Sequence, residues 1–140
     1  KGKIGEVIVI DDYAHHPTEI LATLEAAREY PHDELWGVFQ PHTYTRTKAF
    51  LPQFAEVLSK ADHVVLADIF AAREPDTGLV SSQDIFRLLQ QAGTDVHYFP
   101  TFAEIEDFLL SNISGHDLLI TMGAGNVVNI GEELLASAKK

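Results

Sequence analysis

The residues most able to do chemistry in this sequence lie in four short polar clusters. Each cluster follows an apolar run directly, and together they occupy residues 11–17, 40–46, 68–74 and 121–126. They supply carboxylates, imidazoles, guanidinium groups and a glycine-rich turn. Because groups of these types bind a carboxylate, a phosphate or a nucleotide ribose, the pattern indicates a ligand-binding site.

The first cluster reads Asp-Asp-Tyr-Ala-His-His-Pro and precedes a predicted helix. Its carboxylates, phenol and imidazoles suit contact with a ribose, a phosphate or a reacting carboxylate. The alternative is a strand end whose acids are solvated, with His16 capping the helix. Adjacent histidines point apart and form a poor metal pair, so we predict no metal site here.

The second and third clusters contain the arginines. Arg46 can hold a carboxylate through two charge-assisted hydrogen bonds, and a cation near a helix amino terminus is not what the helix dipole prefers. The alternative is a solvated surface arginine, and His42 nearby could simply bond the strand end. Asp68 follows a strand directly and is a stronger candidate than Arg73 and Glu74, whose charges could complete a site or be ordinary loop charges.

The fourth cluster contains Gly123, Gly125 and Asn126, where glycine lets the backbone approach a ligand closely. It is a partial dinucleotide fingerprint, because Val128 takes the place of the third glycine. A tight turn between strand and helix explains the glycines equally well. The sequence contains no G-x-x-x-x-G-K-[ST], G-x-S-x-G or H-E-x-x-H motif, so any ATP phosphates must be held by another domain.

Alternating elements predict how these clusters are positioned. Apolar β-branched runs alternate with amphipathic segments, which predicts a Rossmann-like three-layer α/β domain with a mostly parallel six-stranded sheet and helices on both faces. The predicted strands are residues 7–10, 35–39, 63–67, 96–99 and 118–121, with 79–80 as a short sixth. Ligands of such sheets bind at the carboxyl ends of the strands, so all four clusters are expected on one rim.

Helix boundaries are indicated by capping residues and apolar stripes. Pro17 suits a first helical position, and Gly93 suits a helix end. Capping pairs are expected at Ser81 with Asp84 and at Thr101 with Glu104. The apolar stripes are Ile20, Leu24 and Ala27 in one helix, Phe50, Phe54, Val57 and Leu58 in another, and Val127, Ile130 and Leu134 in a last helix from about Asn126.

Composition limits the classes of partner. The 140 residues fit one domain, and 10 basic against 21 acidic residues give a formal charge of −11, which disfavours nucleic acid and anionic membranes. Cysteine is absent, and no apolar run approaches the roughly 20 residues of a membrane span, so a cytoplasmic location is expected. The opening on a strand without a methionine is expected of a piece of a longer protein.

Four segments resemble the C-terminal domain of the Mur ligase family, and within it the ligases that join L-alanine to UDP-N-acetylmuramate. They are D-D-Y-A-H-H-P-T-E at 11–19, F-Q-P-H-T-Y-T-R-T at 39–47, L-A-D-I-F-A-A-R-E at 66–74 and G-A-G-N at 123–126. A sister ligase that recycles murein tripeptide shares the first segment but is expected to lack H-x-Y-T-R. Thr43 departs from the pattern, since a number of relatives have a further arginine there.

The resemblance implies that this chain is the third domain of a ligase whose UDP-sugar-binding and central domains lie outside it. The central domain would hold most of ATP and Mg²⁺, and the product would form through an acyl phosphate. His15 and Arg46 would orient the alanine carboxylate, with no catalytic residue assigned. The resemblance further places Asp11, Asp12 and Tyr13 near the nucleotide, Tyr13 also near the substrate, and His42, Asp68, Arg73, Gly123, Gly125 and Asn126 around the amino acid.

Two other functions compatible with the sequence belong to different classes. One is a non-catalytic Rossmann-type nucleotide-binding module that uses residues 123–126 as a phosphate cradle. The other is an interaction or structural domain in which the clusters are only solvated strand ends. Binding of a dinucleotide without a response to alanine would distinguish the first from a ligase domain.

Overall fold

The computed structural model describes residues 2–78 and 80–138 of the chain. Within these residues the strands are β1 (Gly2–Ile4), β2 (Val7–Asp12), β3 (Leu35–Phe39), β4 (His63–Leu66), β5 (Asp95–Tyr98) and β6 (Leu118–Met122). The helices are α1 (Pro17–Glu29), α2 (Tyr44–Ala49), α3 (Leu51–Leu58), α4 (Ser82–Gln91), α5 (Phe102–Asn112) and α6 (Val128–Ala138).

The six strands in the described part of the chain form one sheet in the order β1-β2-β6-β3-β4-β5. Strand β1 is antiparallel to β2, and the other four pairs are parallel, as predicted for a mostly parallel sheet. The sixth strand is not where we predicted it. Val80 lies in irregular structure and Leu79 lies outside the described residues, whereas Gly2–Ile4 pairs with β2 through a turn at Gly5, whose φ is 58°.

Helices cover both faces of the sheet and bury two apolar clusters. On one face the side chains come from α1, α3 and α4, and on the other from α5 and α6. The first face includes Ile20, Leu24, Phe54, Leu58, Ile85 and Leu89, and the second includes Ile105, Leu109, Ile130 and Leu134. The predicted three-layer α/β class is therefore confirmed, and the helical stripes fill the two cores.

The helix ends follow local capping chemistry. His16 caps α1 in a reciprocal arrangement with Glu19, and Ser81 caps α4 in the same way with Asp84. Thr101 caps α5, but the Glu104 carboxylate accepts from the Thr101 hydroxyl, so the predicted reciprocal backbone bond is absent from the described contacts. The helix predicted from the stripe at Phe50, Phe54, Val57 and Leu58 is α3, and a separate short helix, α2, precedes it and ends at Ala49.

The order of the strands places a crevice beside β6. This strand lies between β2 and β3, whose following helices α1 and α3 pack on one face, while α6 after β6 packs on the other. Divergent connections at the carboxyl end of a parallel sheet open a crevice in which ligands bind. The first, second and fourth polar clusters follow β2, β3 and β6 at this crevice, and the third follows β4, the next strand beyond β3.

Candidate functional site

The first, second and fourth clusters are joined by side-chain hydrogen bonds. Thr121 Oγ1 on β6 donates to Asp11 Oδ1 at the end of β2, over 2.7 Å. Gln40 Nε2 after β3 donates to Asn126 Oδ1 over 2.8 Å. The carboxyl ends of these three strands therefore form one connected rim, as the sequence predicts.

The second and third clusters are joined through the backbone. Thr43 N–H donates to the Phe70 carbonyl, and Phe70 N–H donates to the Pro41 carbonyl, each over 2.8 Å. The His42 imidazole stacks on the Phe70 ring, with centroids 5.6 Å apart and an interplanar angle of 15°. The long loop after β4 is thus fixed against the segment that carries Arg46.

Arg46, His42 and His15 converge at the centre of the rim. Arg46 Nη1 lies 3.2 Å from His42 Nδ1, and the His15 and His42 ring centroids lie 5.8 Å apart. Burial holds the pKa of His42 below its ordinary value, and the charges of Arg46 and His15 lower that pKa further. A neutral His42 accepts a hydrogen bond from the Arg46 guanidinium and so orients it. Because the imidazole is uncharged, Arg46 is the group of this pair that attracts an anionic ligand.

Tyr13 lies beside this centre and is 69% exposed. Its ring contacts the His15 imidazole edge-on at 5.4 Å between centroids, and its carbonyl accepts from His15 Nδ1 over 3.0 Å. A carbonyl only accepts hydrogen bonds, so Nδ1 of His15 is the donor in this contact. The exposed phenol is thus free to meet a ligand above the rim.

The two adjacent aspartates differ in their partners. Both oxygens of Asp12 are bound within the chain, one by Ala14 N–H at 2.8 Å and one by the Thr23 hydroxyl at 3.0 Å. Asp11 uses one oxygen for Thr121. Asp12 therefore holds the turn into α1, and the predicted nucleotide contact of both aspartates stays a prediction.

In the third cluster, Asp68 accepts a hydrogen bond from the hydroxyl of Tyr98. Burial and this hydrogen bond raise the pKa of Tyr98 to about 12. Arg73 is exposed, and in the described part of the chain no hydrogen bond or ion pair joins it to the other predicted site residues. Of these two predicted residues, the structure fixes only Asp68 in the rim.

The glycines of the fourth cluster are required by packing against the protein. A Cβ on Gly125 would lie 2.6 Å from both Gln40 Oε1 and Phe70 Cγ, and one on Gly123 would lie 3.0 Å from the Gln40 carbonyl oxygen. Gly123 also has a φ of 152°, which side chains rarely adopt. The turn therefore closes onto the second and third clusters, as the tight-turn alternative predicts.

Gln40 and Phe70 were not among the predicted site residues, and Glu74 was considered only as a loop charge that could complete a site. Gln40 is 4% exposed, and its Oε1 has no hydrogen-bond partner within the described residues. Phe70 supports the His42 ring, and Glu74 accepts hydrogen bonds from the amides of Tyr44 and Thr45. Gln40 could have been predicted from its position, because it directly follows a fully buried strand. The contacts of Phe70 and Glu74 depend on tertiary structure and could not.

Thr43, where the family resemblance fails, has a structural function. Its hydroxyl accepts from Arg46 N–H over 3.3 Å, and its carbonyl accepts from the Thr47 hydroxyl over 2.7 Å. Its φ of 66° is rare for a residue other than glycine. The threonine thus caps α2, and Arg46 is the guanidinium that the second cluster presents.

Neither a metal centre nor a membrane span is found in the described structure. Within residues 2–78 and 80–138, no group of three or more histidine, aspartate or glutamate side chains is arranged to hold a metal ion. No helix among the same residues is long and apolar enough to cross a bilayer. The imidazole and guanidinium groups of the rim are donors that suit a carboxylate.

Comparison with known proteins finds a matching family and several similar proteins. Residues 1–125 match the family described as Mur ligase, glutamate ligase domain. The chain is 67% identical over 135 residues to the UDP-N-acetylmuramate--L-alanine ligase of Agathobacter rectalis, which covers 96% of this chain and 29% of that protein. The chain thus spans less than a third of the length of this curated relative.

Solved structures with the same fold include two ligases. The UDP-N-acetylmuramate-alanine ligase MurC of Thermotoga maritima aligns over 95% of this chain and 27% of its own, with a TM-score of 0.76 and 26% identity. The murein peptide ligase of Psychrobacter arcticus aligns over 99% of this chain and 28% of its own, with a TM-score of 0.79 and 24% identity. The fold is common to both, so it does not distinguish between their substrates.

Proposed function

Because this chain belongs to the Mur ligase family, in its glutamate ligase domain, we propose that it supplies the amino-acid site of an ATP-dependent ligase. The ligase would join L-alanine to UDP-N-acetylmuramate in peptidoglycan synthesis, as the name of the 67% identical relative states for that protein. The UDP-sugar and most of the ATP would be bound by parts of the ligase beyond these 140 residues. A cytoplasmic location and the absence of nucleic-acid or membrane partners belong to the same proposal.

The proposed reaction has two balanced steps. The muramoyl carboxylate attacks the γ-phosphorus of ATP, which gives an acyl phosphate and releases ADP. The amine of L-alanine then attacks the acyl carbon, and the tetrahedral intermediate expels inorganic phosphate as the amide forms and the amine loses its proton. Holding the amine and the acyl phosphate together can lower the barrier by about 7–11 kcal/mol without an acid or base from this domain.

The observation that carries the proposal is the contact between Arg46 and His42 beside His15. A guanidinium fork oriented by a neutral imidazole is suited to the carboxylate of an amino acid, since two parallel N–H groups match its two oxygens. The His15 ring centroid lies 5.8 Å from that of His42, so His15 can approach the same carboxylate. The chain has a net charge of −11, and Arg46 places a positive charge in the rim for an anionic ligand.

ATP and Mg²⁺ fit the residues of this chain only in part. Asp11 keeps one carboxylate oxygen beyond its bond to Thr121, and the exposed Tyr13 ring offers a surface for a base or ribose. No phosphate-binding loop is present in the sequence. We therefore assign Asp11, Asp12 and Tyr13 to contact with the nucleotide and leave Mg²⁺ and the phosphates to the central domain.

The remaining predicted residues line the amino-acid pocket in this proposal. They are His42, Asp68, Arg73, Gly123, Gly125 and Asn126. Displacement of water from the acyl phosphate is the second task of such a pocket, because water would hydrolyse that intermediate. A tightly packed glycine turn beside Gln40 serves this exclusion by leaving little space at the floor of the crevice.

Two alternatives are less well supported. The murein tripeptide ligase is favoured by fold similarity alone, whereas H-x-Y-T-R at residues 42–46 and the 67% identity favour the alanine ligase. A dinucleotide module would use Gly123 and Gly125 to approach a pyrophosphate. Their missing side chains instead make space for Gln40 and Phe70.

An activity measurement on the full-length protein tests the proposal. With ATP, Mg²⁺ and UDP-N-acetylmuramate, we expect ADP release that depends on L-alanine and a product whose mass equals UDP-N-acetylmuramoyl-L-alanine. Release that depends on the tripeptide and ignores L-alanine would instead identify the recycling ligase. Amide shifts in the 140-residue chain on addition of NADH, with no response to alanine, would identify the dinucleotide module.

A further inference from the structure

The Glu74 carboxylate reaches from the long loop after β4 to the start of α2. Its Oε1 accepts from Tyr44 N–H over 2.7 Å and from Thr45 N–H over 3.0 Å, and its Oε2 accepts from the Thr45 hydroxyl over 2.6 Å. These partners lie 30 and 29 residues earlier in the chain. One carboxylate thus connects two otherwise separate segments of the rim.

Helix α2 needs such a connection because it is only six residues long. A helix of this length is unstable by itself, and the N–H groups of its first turn have no partners within the helix. Glu74 satisfies two of these groups, and its negative charge suits the positive end of the helix dipole. Arg46 lies in the same first turn, so its backbone position depends on how α2 is held.

A second tie holds the same loop and the same segment together. Phe70 exchanges backbone hydrogen bonds with Pro41 and Thr43, and its ring stacks on His42. Glu74 lies four residues further along the loop. The contacts of Phe70 and of Glu74 together hold both ends of the segment from His42 to Thr45. The hydrogen bonds from the Thr45 hydroxyl and amide hold the pKa of Glu74 below its ordinary value, which keeps the carboxylate charged at neutral pH.

We infer that Glu74 is a positioning residue that caps α2 from the loop after β4 and thereby sets the orientation of Arg46 and His42 toward the amino-acid carboxylate. The inference rests on the proposed function for its ligand, but the cap itself is a property of this chain. It also gives the loop of residues 68–74 a definite role, since the loop holds residues 41–45 in place beside Arg46. Loss of the Glu74 carboxylate would then weaken binding of the amino acid without removing any group that touches it.

The cap is tested in the 140-residue chain by amide hydrogen exchange. We expect Glu74→Ala to speed exchange at Tyr44 and Thr45 by about tenfold, as expected when hydrogen-bonded amides at a helix start lose their acceptor. Exchange should rise less in α3 than at Tyr44 and Thr45, and the thermal unfolding midpoint should fall by no more than about 6 °C. Glu56→Gln, which neutralises an exposed carboxylate on α3, is the matched control. Unchanged exchange at Tyr44 and Thr45 would overturn the inference.

The positioning role is tested in the full-length ligase by separating KM from kcat. We expect Glu74→Ala to raise the KM for L-alanine about tenfold, since misplacement of a binding group by about 1 Å can cost up to about a hundredfold. The KM values for ATP and UDP-N-acetylmuramate should stay within about twofold of wild type, because a local displacement of Arg46 does not alter the residues that bind these two substrates. Glu74→Gln keeps an acceptor oxygen for the amides and should recover part of the loss.

The failures of the two proposals are distinguishable. A wild-type ligase that ignores L-alanine would refute the proposed function while leaving the exchange result for the cap to stand. A wild-type ligase that uses L-alanine, combined with an unchanged alanine KM in Glu74→Ala, would refute the positioning role alone. An equal rise of all three KM values with a lowered unfolding midpoint would also refute it, because that pattern is the loss of folded enzyme.

Discussion

The Nη1 atom of Arg46 lies 3.2 Å from Nδ1 of His42, four residues earlier in the chain. The two residues are joined although both are basic, and this is possible because His42 is held in its neutral form by burial and by the charges of Arg46 and His15. A neutral imidazole nitrogen accepts, and the guanidinium donates. The pair therefore presents one oriented positive charge to a ligand.

The pKa of His42 should respond to removal of Arg46. In Arg46→Ala the repulsion by the guanidinium disappears while burial remains, so the pKa of His42 should rise toward its ordinary value without reaching it. The measurement is an NMR titration of the His42 ring signals in the 140-residue chain. Arg28→Ala, at the exposed end of α1, is the control, and an unchanged His42 titration in Arg46→Ala would contradict the contact.

A cluster of charged residues at the amino ends of β3, β4 and β5 should make the free energy of unfolding depend on pH. His63 stacks on Trp36 with centroids 4.1 Å apart and bonds Asp95 at 2.6 Å and Glu34 at 3.1 Å, while Asp95 also bonds His97 at 3.1 Å. Burial opposes the charged form of His63, but the bonds to Asp95 and Glu34 outweigh burial and raise its pKa. The cluster thus favours a protonated His63 in the folded state.

The direction of the pH effect follows from the raised pKa. The contribution of His63 is fully present below the unfolded-state pKa of about 6.5 and is lost as the pH rises through the higher folded-state value. Urea unfolding between pH 6 and 9, a range of about three units around the titration of histidine, should show this decline in wild type and a flatter profile in His63→Gln. His116→Gln, an exposed control, should keep the wild-type slope, and a wild-type slope in His63→Gln would contradict the prediction.

Substitution of Gly125 should damage the crevice. The Cβ of Gly125→Ala would meet Gln40 Oε1 and Phe70 Cγ at 2.6 Å, so the turn must shift, at an expected cost of about 1–3 kcal/mol in the free energy of unfolding. Gly131→Ala is the matched control on α6. Its Cβ would meet Val9 at an ordinary 3.4 Å, and alanine should stabilise the helix by up to about 1 kcal/mol. Equal effects of the two substitutions in urea unfolding would refute the packing role.

Asn126 should matter more than its exposure suggests. Its Oδ1 accepts from the amide of the buried Gln40, so Asn126→Ala leaves that donor unpaired at a cost of about 1–3 kcal/mol in the free energy of unfolding. Asn129→Ala removes an exposed amide three residues later and should change this free energy by less than about 0.5 kcal/mol. Chemical unfolding of the two variants compares them directly, and equal values would mean that Gln40 finds another partner.

The central sheet was predictable because its strands are short continuous apolar runs. Strands β3 and β6 are buried along their whole length, and their predicted bounds differ from the observed ones by at most one residue. Strand β1 was missed because its three residues, with Lys3 in the middle, form neither a continuous apolar run nor an alternation of apolar and polar residues. Its stability comes from pairing with β2, which a local pattern does not report.

The rim itself was predictable, but its internal contacts were not. Placing the clusters at strand ends follows from the general geometry of parallel sheets, and this brought Arg46 and His15 to one edge. The path of a long loop cannot be read from its sequence, so the reach of Glu74 to Tyr44 had no local signal. The need for Gly125 likewise depends on two residues that are distant in the chain.

The most direct test of the central claim is the KM for L-alanine of the full-length ligase with Arg46→Ala, beside wild type and Arg28→Ala. Loss of charge-assisted hydrogen bonds to a carboxylate costs about 1.5–3 kcal/mol, so the KM should rise by about 10-fold to 150-fold. The KM for ATP should stay near wild type, and Arg28→Ala should behave as wild type. An alanine KM that is unchanged in Arg46→Ala would contradict the assignment of the amino-acid site to this rim.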